Sequence, residues 1–247
     1  MTFKDHFSHV AVDYAKYRPD YPPELFQYLS TLPPQREHAW DVGTGNGQAA
    51  LGLAPWFERV TASDPSAEQI RQASLHPKVR YAVAPAERTD LADASVDLIT
   101  VAQALHWFDF ERFYKEARRV LKPQGVIAAW TYGLCSVTPA VDVVVRGYYT
   151  DVVGSYWPPE RRYVDERYET IPFPFVKLEA PAFGIRAQWS LEDFRGYLET
   201  WSAARGYRQA QGSDPRDRID DALRAAWGTS ASHEMVWPLY LRVGCLS

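Results

Sequence analysis

The chain has 247 residues, of which 46% are hydrophobic and 23% are charged, and its 27 basic and 31 acidic side chains give a formal net charge of −4. A chain of this size buries a substantial core without disulfide or metal staples. The lack of a basic excess argues against a nucleic-acid substrate, because phosphate contacts need a positive surface.

Cysteine usage and hydropathy narrow the class of protein further. The two cysteines, Cys135 and Cys245, have no paired spacing and no nearby histidine motif, which predicts neither a disulfide framework nor a bound metal. The segment Met1–His6 lacks the apolar core of a signal peptide. No apolar run approaches the roughly 20 residues of a membrane span. We therefore expect a cytoplasmic protein with no membrane partner, whose oligomeric state the sequence does not specify.

Strand and helix signals alternate along the first 130 residues. Pro19 and Pro33 each follow a predicted helix, because proline cannot continue one. Val96–Ala102 is an almost continuous apolar run, typical of a parallel strand covered on both faces. Such alternation implies βαβ units with right-handed crossovers and a mostly parallel sheet. The predicted helices are Phe7–Tyr17, Glu24–Leu32, Gln48–Trp56, Ala67–Leu75 and Phe110–Leu121, and the predicted strands are His38–Val42, Arg59–Ser63, Val79–Ala84, Val96–Ala102 and Gly125–Trp130.

After Gly133 the pattern changes to helical segments separated by prolines. Ser190 precedes one of these helices, with Asp193 three residues on, in the manner of a capping box. The region predicts a helical lobe inserted into, and followed by, the final strands of the same sheet. Its predicted helices are Pro139–Tyr156, Leu191–Ala203 and Pro215–Trp227, and its predicted strands are Phe175–Leu178, Phe183–Trp189 and Met235–Val243.

The glycine-rich segment Asp41–Gly47 lies at a predicted strand-to-helix turn. Glycines there let the backbone turn tightly and let a ligand approach amide groups at the positive end of a helix. A dinucleotide fingerprint would read G-x-G-x-x-G, whereas here the third glycine comes one residue early. The carboxylate of Asp41 suits an ammonium or sulfonium ligand better than a pyrophosphate. An ordinary glycine-rich turn is the alternative.

This loop resembles motif I, D-x-G-x-G-x-G, of the class I S-adenosylmethionine-dependent methyltransferases. Asp64 follows Gly43 by 21 residues and resembles the acidic residue after the second strand, which accepts hydrogen bonds from ribose hydroxyls. Taken alone, it is equally a helix cap. Ala84–Glu87 resembles the segment beside the adenine, and Leu121–Gly125 resembles the turn before the fifth strand.

The resemblance covers residues 39–130 tightly and implies S-adenosyl-L-methionine as the cofactor. It also implies an α/β fold, a Rossmann-like, doubly wound, mostly parallel seven-stranded sheet with a helical lobe inserted in the C-terminal half. We expect a single methyltransferase domain with lid helices in 1–37, a cofactor-binding core in 38–133 and a substrate lobe with the final strands in 134–247. The implied cofactor contacts are Arg18, Asp41, Gly43, Thr44, Gly45, Asp64, Pro65, Ser66, Ala86, Glu87, Gln103 and His106.

His106 is the candidate catalytic residue, within Gln103–Asp109 at the predicted carboxyl edge of the sheet. A histidine there is suited to act as a general base on a hydroxyl or amine. The alternative is that His106 only lines the cofactor pocket. A carboxylate acceptor needs no base, since an ionised oxygen requires only in-line placement and exclusion of water.

The segment Tyr14–Pro22 resembles the N-terminal lid helix of a type 11-like branch of the family that includes trans-aconitate methyltransferase. In that interpretation Arg18 pairs with the carboxylate of the cofactor or with an acidic substrate. The alternative is a packing helix with its arginine in solvent. The C-terminal lobe resembles the same branch through residues 156–166, where Arg162 is a further candidate. The substrate-binding candidates are Tyr14, Tyr17, Trp107, Trp157, Arg161 and Trp201.

We therefore expect methyl transfer to a small-molecule acceptor, with a carboxylic acid as one option. A cofactor-binding protein without transferase activity and a nucleotide-dependent oxidoreductase are the alternatives. The early third glycine and Asp41 disfavour the oxidoreductase.

Overall fold

The computed structural model describes residues 17–246. The predicted helix Phe7–Tyr17 lies outside the described residues except for its last position, and so does Tyr14. Within residues 17–246, no helix has both the length and the apolar character needed to span a membrane. The same range holds no group of three or more His, Cys, Asp or Glu side chains placed to bind a metal ion.

Within the described part of the chain, eight strands form one sheet. They are β1 (His38–Val42), β2 (Arg59–Asp64), β3 (Val79–Val83), β4 (Val96–Ala102), β5 (Leu121–Thr131), β6 (Val176–Leu178), β7 (Phe183–Trp189) and β8 (His233–Cys245). The order is β3-β2-β1-β4-β5-β8-β6, and β7 also pairs with β8. Strands β1 to β5 run parallel, and β8 runs antiparallel to β5.

The predicted Rossmann-like class is confirmed, but the expected number of seven strands was wrong by one. The position beside β8 is divided between β6 and β7, which pair with different ends of that strand. Pro181 lies in the break, where it removes a backbone donor that a continuous strand would need.

The helices are α1 (Pro23–Ser30), α2 (Gln48–Leu53), α3 (Ala67–Arg71), α4 (Phe110–Val120), α5 (Pro139–Gly147), α6 (Arg161–Asp165), α7 (Leu191–Glu199), α8 (Ser202–Gln211) and α9 (Asp220–Trp227). The capping box of Ser190 and Asp193 is present at the start of α7. The predicted helix Leu191–Ala203 was too long, because Trp201 is extended and separates α7 from α8. Helix α5 ends at Gly147 and continues as a π-helical turn, Tyr148–Val152.

The sheet is buried on both faces, as strand β5 illustrates. Val126, Ala128 and Trp130 belong to one hydrophobic cluster, whereas Ile127 and Ala129 belong to another, because successive strand residues face opposite sides. Helices α1, α2, α5, α7 and α9 pack into the first cluster, and α4 packs into the second. This double coverage explains the apolar run of β4.

Two insertions place helices at the carboxyl edge of the parallel strands. The first leaves the end of β5 and contains α5 and α6, and the second joins β7 to β8 and contains α7, α8 and α9. Because β8 runs opposite to β5, it begins at the edge where β5 ends. The insertions of the C-terminal half therefore leave the sheet at the same edge as the loops that follow β1, β2 and β4.

A close approach of α1 to α2 depends on the glycine at position 52. A Cβ atom there would lie 2.2 Å from a ring carbon of Phe26. We expect Gly52→Ala to lower the free energy of unfolding by about 1–3 kcal/mol through overpacking, as measured by urea denaturation. Gly147→Ala is the control, since the nearest atom to its Cβ would be 3.9 Å away. Equal stability of Gly52→Ala and wild type would contradict the close packing.

Candidate active site

The loop after β1 contains three glycines whose backbone conformation is unfavourable for any residue with a side chain. Gly43, Gly45 and Gly47 have φ angles of +66°, +56° and +90°, in the left-handed region that favours glycine. A Cβ at Gly43 would lie 2.6 Å from the Cβ of Ala104, and one at Gly47 would lie 2.3 Å from the hydroxyl of Tyr81. At Gly45 the nearest atom would be 3.8 Å away. Among the described residues, no atom closes the face of the loop at Gly45, so this face is accessible to a ligand.

Asp41 is completely buried behind this loop. Its two carboxylate oxygens accept hydrogen bonds from the hydroxyls of Thr44, at 2.5 Å, and Thr100, at 2.7 Å. Burial raises the pKa of Asp41 to about 6. In the structure, Asp41 connects the loop to β4 through its hydrogen bond with Thr100. Its direct contact with a cationic ligand stays a prediction.

Asp64 ends β2 and connects two turns. Its Oδ2 accepts from the backbone amide of Gly45 at 2.9 Å, and its Oδ1 accepts from the amide of Ser66 at 2.8 Å. Ser66 in turn caps α3 by accepting from the amide of Gln69. The carboxylate of Asp64 therefore lies directly beside the open face of the glycine loop. Pro65 lies between Asp64 and Ser66, within the turn that the hydrogen bond between these two residues closes.

The loops after β3 and β4 are also joined. The Oε1 atom of Glu87 accepts from the backbone amide of Asp109 at 3.0 Å, and Ala86 beside it is buried. The segment 84–87, which resembles the adenine side of the family's pocket, is thus joined to the loop after β4 at the same edge of the sheet.

Gln103, the first residue after β4, bridges to the end of β5. Its Nε2 donates to the carbonyl of Tyr132 at 3.0 Å, and its Oε1 accepts from the hydroxyl of Thr131. Its φ of +53° is uncommon for a residue with a side chain. The side-chain amide therefore holds β4 against β5 in a strained turn.

His106 is buried, with Nδ1 lying 2.7 Å from the hydroxyl of Tyr168. Burial lowers the pKa of His106 to about 3, and the nearby positive charge of Arg161 acts in the same direction. The ring is therefore neutral at physiological pH and is a weak base. A general-base role for His106 stays a prediction.

A pocket at the carboxyl edge brings together residues that are distant in sequence. The candidates Arg18, Gln103, His106, Trp107, Trp157, Arg161 and Trp201 all line it. Tyr17 does not line it and instead lies against α7, where its ring would be 2.6 Å from a Cβ at Gly196. Arg162 also lies outside the lining, with its guanidinium 4.7 Å from the ring centroid of Tyr163.

Two guanidinium groups face this pocket. That of Arg161 lies 4.5 Å from the ring centroid of Trp157, whose ring is 5.6 Å from that of Trp201. Arg18 donates to the hydroxyl of Tyr132 at 3.4 Å, with its guanidinium 5.6 Å from the ring centroid of Tyr197. Among the described residues, the lining contains no aspartate or glutamate. The pocket is therefore positive although the chain as a whole is acidic.

Comparison with known proteins decides the family. A model of the family described as "Methyltransferase domain" matches residues 40–129. A protein from Dictyostelium discoideum named "Putative methyltransferase" is 35% identical, with 97% of this chain and 94% of the relative covered. The chain belongs to the class I S-adenosylmethionine-dependent methyltransferases.

Two further proteins are similar over most of the methyltransferase chain. A solved structure described as a "Putative Type II Methyltransferase" from Anaeromyxobacter dehalogenans is 52% identical, with a TM-score of 0.87 over 93% of this chain and 98% of that one. A probable S-adenosylmethionine-dependent methyltransferase from Saccharomyces cerevisiae is 24% identical over 82% of each chain. The prediction of a methyltransferase is confirmed, in preference to a nucleotide-dependent oxidoreductase.

The residues at the carboxyl edge fit the cofactor of this family, S-adenosylmethionine. The glycine loop has an open face at Gly45, and the Asp64 carboxylate lies beside it.

Several pocket residues belong to no sequence motif and were not predicted, because only long-range folding brings them to the site. They are Tyr132, Leu134, Val164, Tyr197 and Ser202, with Tyr168 behind His106.

Because His106 is neutral in the folded protein, the free energy of unfolding should depend on pH. The pKa of His106 is about 3 in the folded protein and about 6.5 in an unfolded chain, so the unfolded state binds more protons between these values. Wild type therefore loses stability as the pH falls through this window, and His106→Gln lacks that loss. We expect the stability of the variant relative to wild type to improve by about 2 kcal/mol from pH 7.5 to pH 5, measured by urea unfolding. Parallel pH dependences would contradict a buried neutral ring.

Proposed function

We propose that this methyltransferase methylates a small acid whose anionic group is held by Arg161. The observation that carries the proposal is the pocket lining, which presents the guanidiniums of Arg18 and Arg161 and no acidic side chain among the described residues. A planar guanidinium matches a carboxylate in shape as well as in charge. The resemblance to the branch that includes trans-aconitate methyltransferase supports the same class of acceptor.

The surroundings of Arg161 favour a bound anion. Its Nε donates to the hydroxyl of Tyr149 at 2.8 Å and contacts Asp165 at 3.2 Å, and its plane lies over Trp157. These contacts hold the guanidinium in place before a ligand arrives, so less conformational entropy is lost on binding. Since the chain has a net charge of −4, the positive pocket also directs a small anion to this one place.

The cofactor is proposed to lie along the glycine loop. Backbone groups of residues 43–45 contact its amino-acid part, Asp64 binds the ribose hydroxyls with Pro65 and Ser66 beside it, and Ala86 and Glu87 contact the adenine. Arg18 is proposed to pair with the carboxylate of the cofactor. Asp41, Thr44 and Gln103 fix the shape of this surface, and residues 134–246 supply the acceptor side.

Methyl transfer places modest demands on the protein. S-adenosylmethionine supplies a methyl group activated by a positively charged sulfur. An ionised acceptor oxygen needs no base, so the side chains align the acceptor and exclude water. Trp107, Trp157 and Trp201 provide the apolar walls for that role.

A labelled-methyl screen tests the acceptor class. Small carboxylic acids are compared with their amides at equal concentration, using S-adenosylmethionine labelled in the methyl group. We expect methylation of at least one acid and at least a tenfold lower rate for its amide, which lacks the charge that the arginines attract. Equal rates for acid and amide, or methylation of amines alone, would overturn the acidic acceptor.

The role of Arg161 is tested by Arg161→Gln, with Arg162→Gln as the neighbouring control outside the pocket. Loss of a charged hydrogen bond is worth about 1.5–3 kcal/mol, so KM for the acid should rise roughly ten- to hundredfold. Affinity for S-adenosylmethionine should stay unchanged, as measured by calorimetry. A normal KM in Arg161→Gln, or an equal defect in Arg162→Gln, would show that the anion binds elsewhere.

The ribose contact is tested by Asp64→Asn, with the exposed Asp90→Asn as the control. An amide weakens charge-assisted hydrogen bonds, so Kd for S-adenosylmethionine should rise roughly tenfold or more in calorimetric titration. Unchanged affinity in Asp64→Asn would leave the residue as a helix cap alone.

A further inference from the structure

We propose that Gln48 is a positioning residue for the cofactor, because its side chain holds residues 19–20 against the end of the glycine loop and thereby places Arg18 at the pocket. The inference rests on the proposed function through one contact, that of Arg18 with the carboxylate of S-adenosylmethionine. It does not depend on which acceptor the enzyme methylates.

Gln48 occupies a position that a dinucleotide-binding loop gives to glycine. In the pattern G-x-G-x-x-G that begins at Gly43, the third glycine would fall at residue 48, where it allows the following helix to pack closely. In this chain Gly47 has the left-handed φ of +90°, and Gln48 is the first residue of α2. A long polar side chain therefore leaves the end of the loop where the dinucleotide pattern has none.

The side-chain amide of Gln48 binds the segment before α1. Its Nε2 donates to the backbone carbonyl of Pro19 at 3.0 Å and to Oδ1 of Asp20 at 2.8 Å. A carbonyl and a carboxylate oxygen only accept, and an amide nitrogen carries two hydrogens, so one orientation of the amide makes both bonds. Gln48 thus joins the glycine loop to a segment that is 28 residues away in the sequence.

The start of α2 is a firm anchor for these bonds. A Cβ at Gly47 would lie 2.3 Å from the hydroxyl of Tyr81, so this end of the loop packs tightly against β3. Three of the six residues of α2 are also buried, which fixes the helix in the core. The bonds of Gln48 therefore set the position of residues 19–20 relative to the cofactor loop itself.

Arg18 is next to this attachment and reaches the pocket from it. Residues 19–21 are in neither a helix nor a strand, so side-chain contacts help to place them. The guanidinium of Arg18 donates to the hydroxyl of Tyr132 at 3.4 Å and to the carbonyl of Thr200 at 3.5 Å. Both distances are longer than those of the two bonds from Gln48, and longer than an ordinary N–H···O bond.

A held Arg18 lowers the cost of binding the carboxylate of the cofactor. A long side chain loses conformational freedom when a ligand fixes it, and contacts that restrict it beforehand reduce that loss. Pro19 is buried, and its ring fixes its own φ angle. A bond to the Pro19 carbonyl therefore also restricts the direction in which the chain leaves Arg18, so that loop and arginine meet the cofactor as one unit.

Calorimetric titration with two ligands tests the proposal. S-adenosylhomocysteine has an amino-acid part with a carboxylate, whereas 5′-methylthioadenosine has the adenosine and the sulfur but no carboxylate. In Gln48→Ala, Kd for S-adenosylhomocysteine should rise roughly three- to tenfold, and Kd for methylthioadenosine should change by less than about twofold. An equal rise for both ligands would show general damage to the loop and overturn the proposal, and so would an unchanged Kd for S-adenosylhomocysteine.

Two further variants test whether the hydrogen bonds themselves are responsible. Gln188→Ala is the matched control, because its Nε2 also joins distant segments, by donating to the hydroxyl of Ser232 at 2.8 Å, but outside the pocket lining. It should bind both ligands as wild type does. Gln48→Glu keeps the length of the side chain but replaces the donor with a carboxylate that faces Asp20, and it should bind S-adenosylhomocysteine no better than Gln48→Ala. Wild-type affinity in Gln48→Glu would contradict a donor role.

Arg18→Gln separates the role of Gln48 from that of the arginine. Loss of the charged contact should raise Kd for S-adenosylhomocysteine roughly ten- to hundredfold, and adding Gln48→Ala should raise it by no more than about twofold again. Fully additive losses would show that Gln48 does not act through Arg18 and would overturn the positioning role. If Arg18→Gln bound S-adenosylhomocysteine normally, the proposed contact of Arg18 would fail and the role of Gln48 with it, while the labelled-methyl screen would still decide the acceptor class.

Discussion

The structure depends on the left-handed backbone of Gly43, Gly45 and Gly47, in a loop that two buried or half-buried carboxylates hold in place. Asp41 binds the hydroxyls of Thr44 and Thr100, and Asp64 binds the amide of Gly45. These contacts fix the open face of the loop relative to β1, β2 and β4. A carboxylate that accepts several hydrogen bonds at a loop offsets the cost of its own burial and orders the backbone around it.

The second half of the chain completes the site from the same edge of the sheet. Both insertions begin where parallel strands end, so α6 and the segment between α7 and α8 reach the loops after β4 and β5. They contribute Arg161, Trp157 and Trp201, which are distant in sequence from the glycine loop. One edge therefore combines a surface that fits the cofactor with a positive, aromatic pocket, and a neutral His106 lies between the two.

The sequence predicted those parts of the fold that depend on interactions between residues close together in the chain. The bounds of β4 and β7, the capping box at Ser190 and the glycine turn were all predicted, because apolar periodicity, capping and left-handed backbone leave marks within a few residues. Trp201 was expected inside a helix, but its backbone is extended, and its ring packs against those of Tyr148 and Trp157, which are distant in sequence. Tyr168 shows the limit most clearly, since its partner His106 is 62 residues away.

We propose that the glycine loop and the arginine pocket are two parts of one active site. A crystal structure of the full chain with S-adenosylhomocysteine and a small carboxylic acid tests it directly. We expect ribose oxygens within hydrogen-bond distance of Asp64, and the carboxylate of the acid bound to Arg161, close to the sulfur of the cofactor product. An acid bound away from Arg161, or a nucleoside bound away from the loop 43–47, would contradict it.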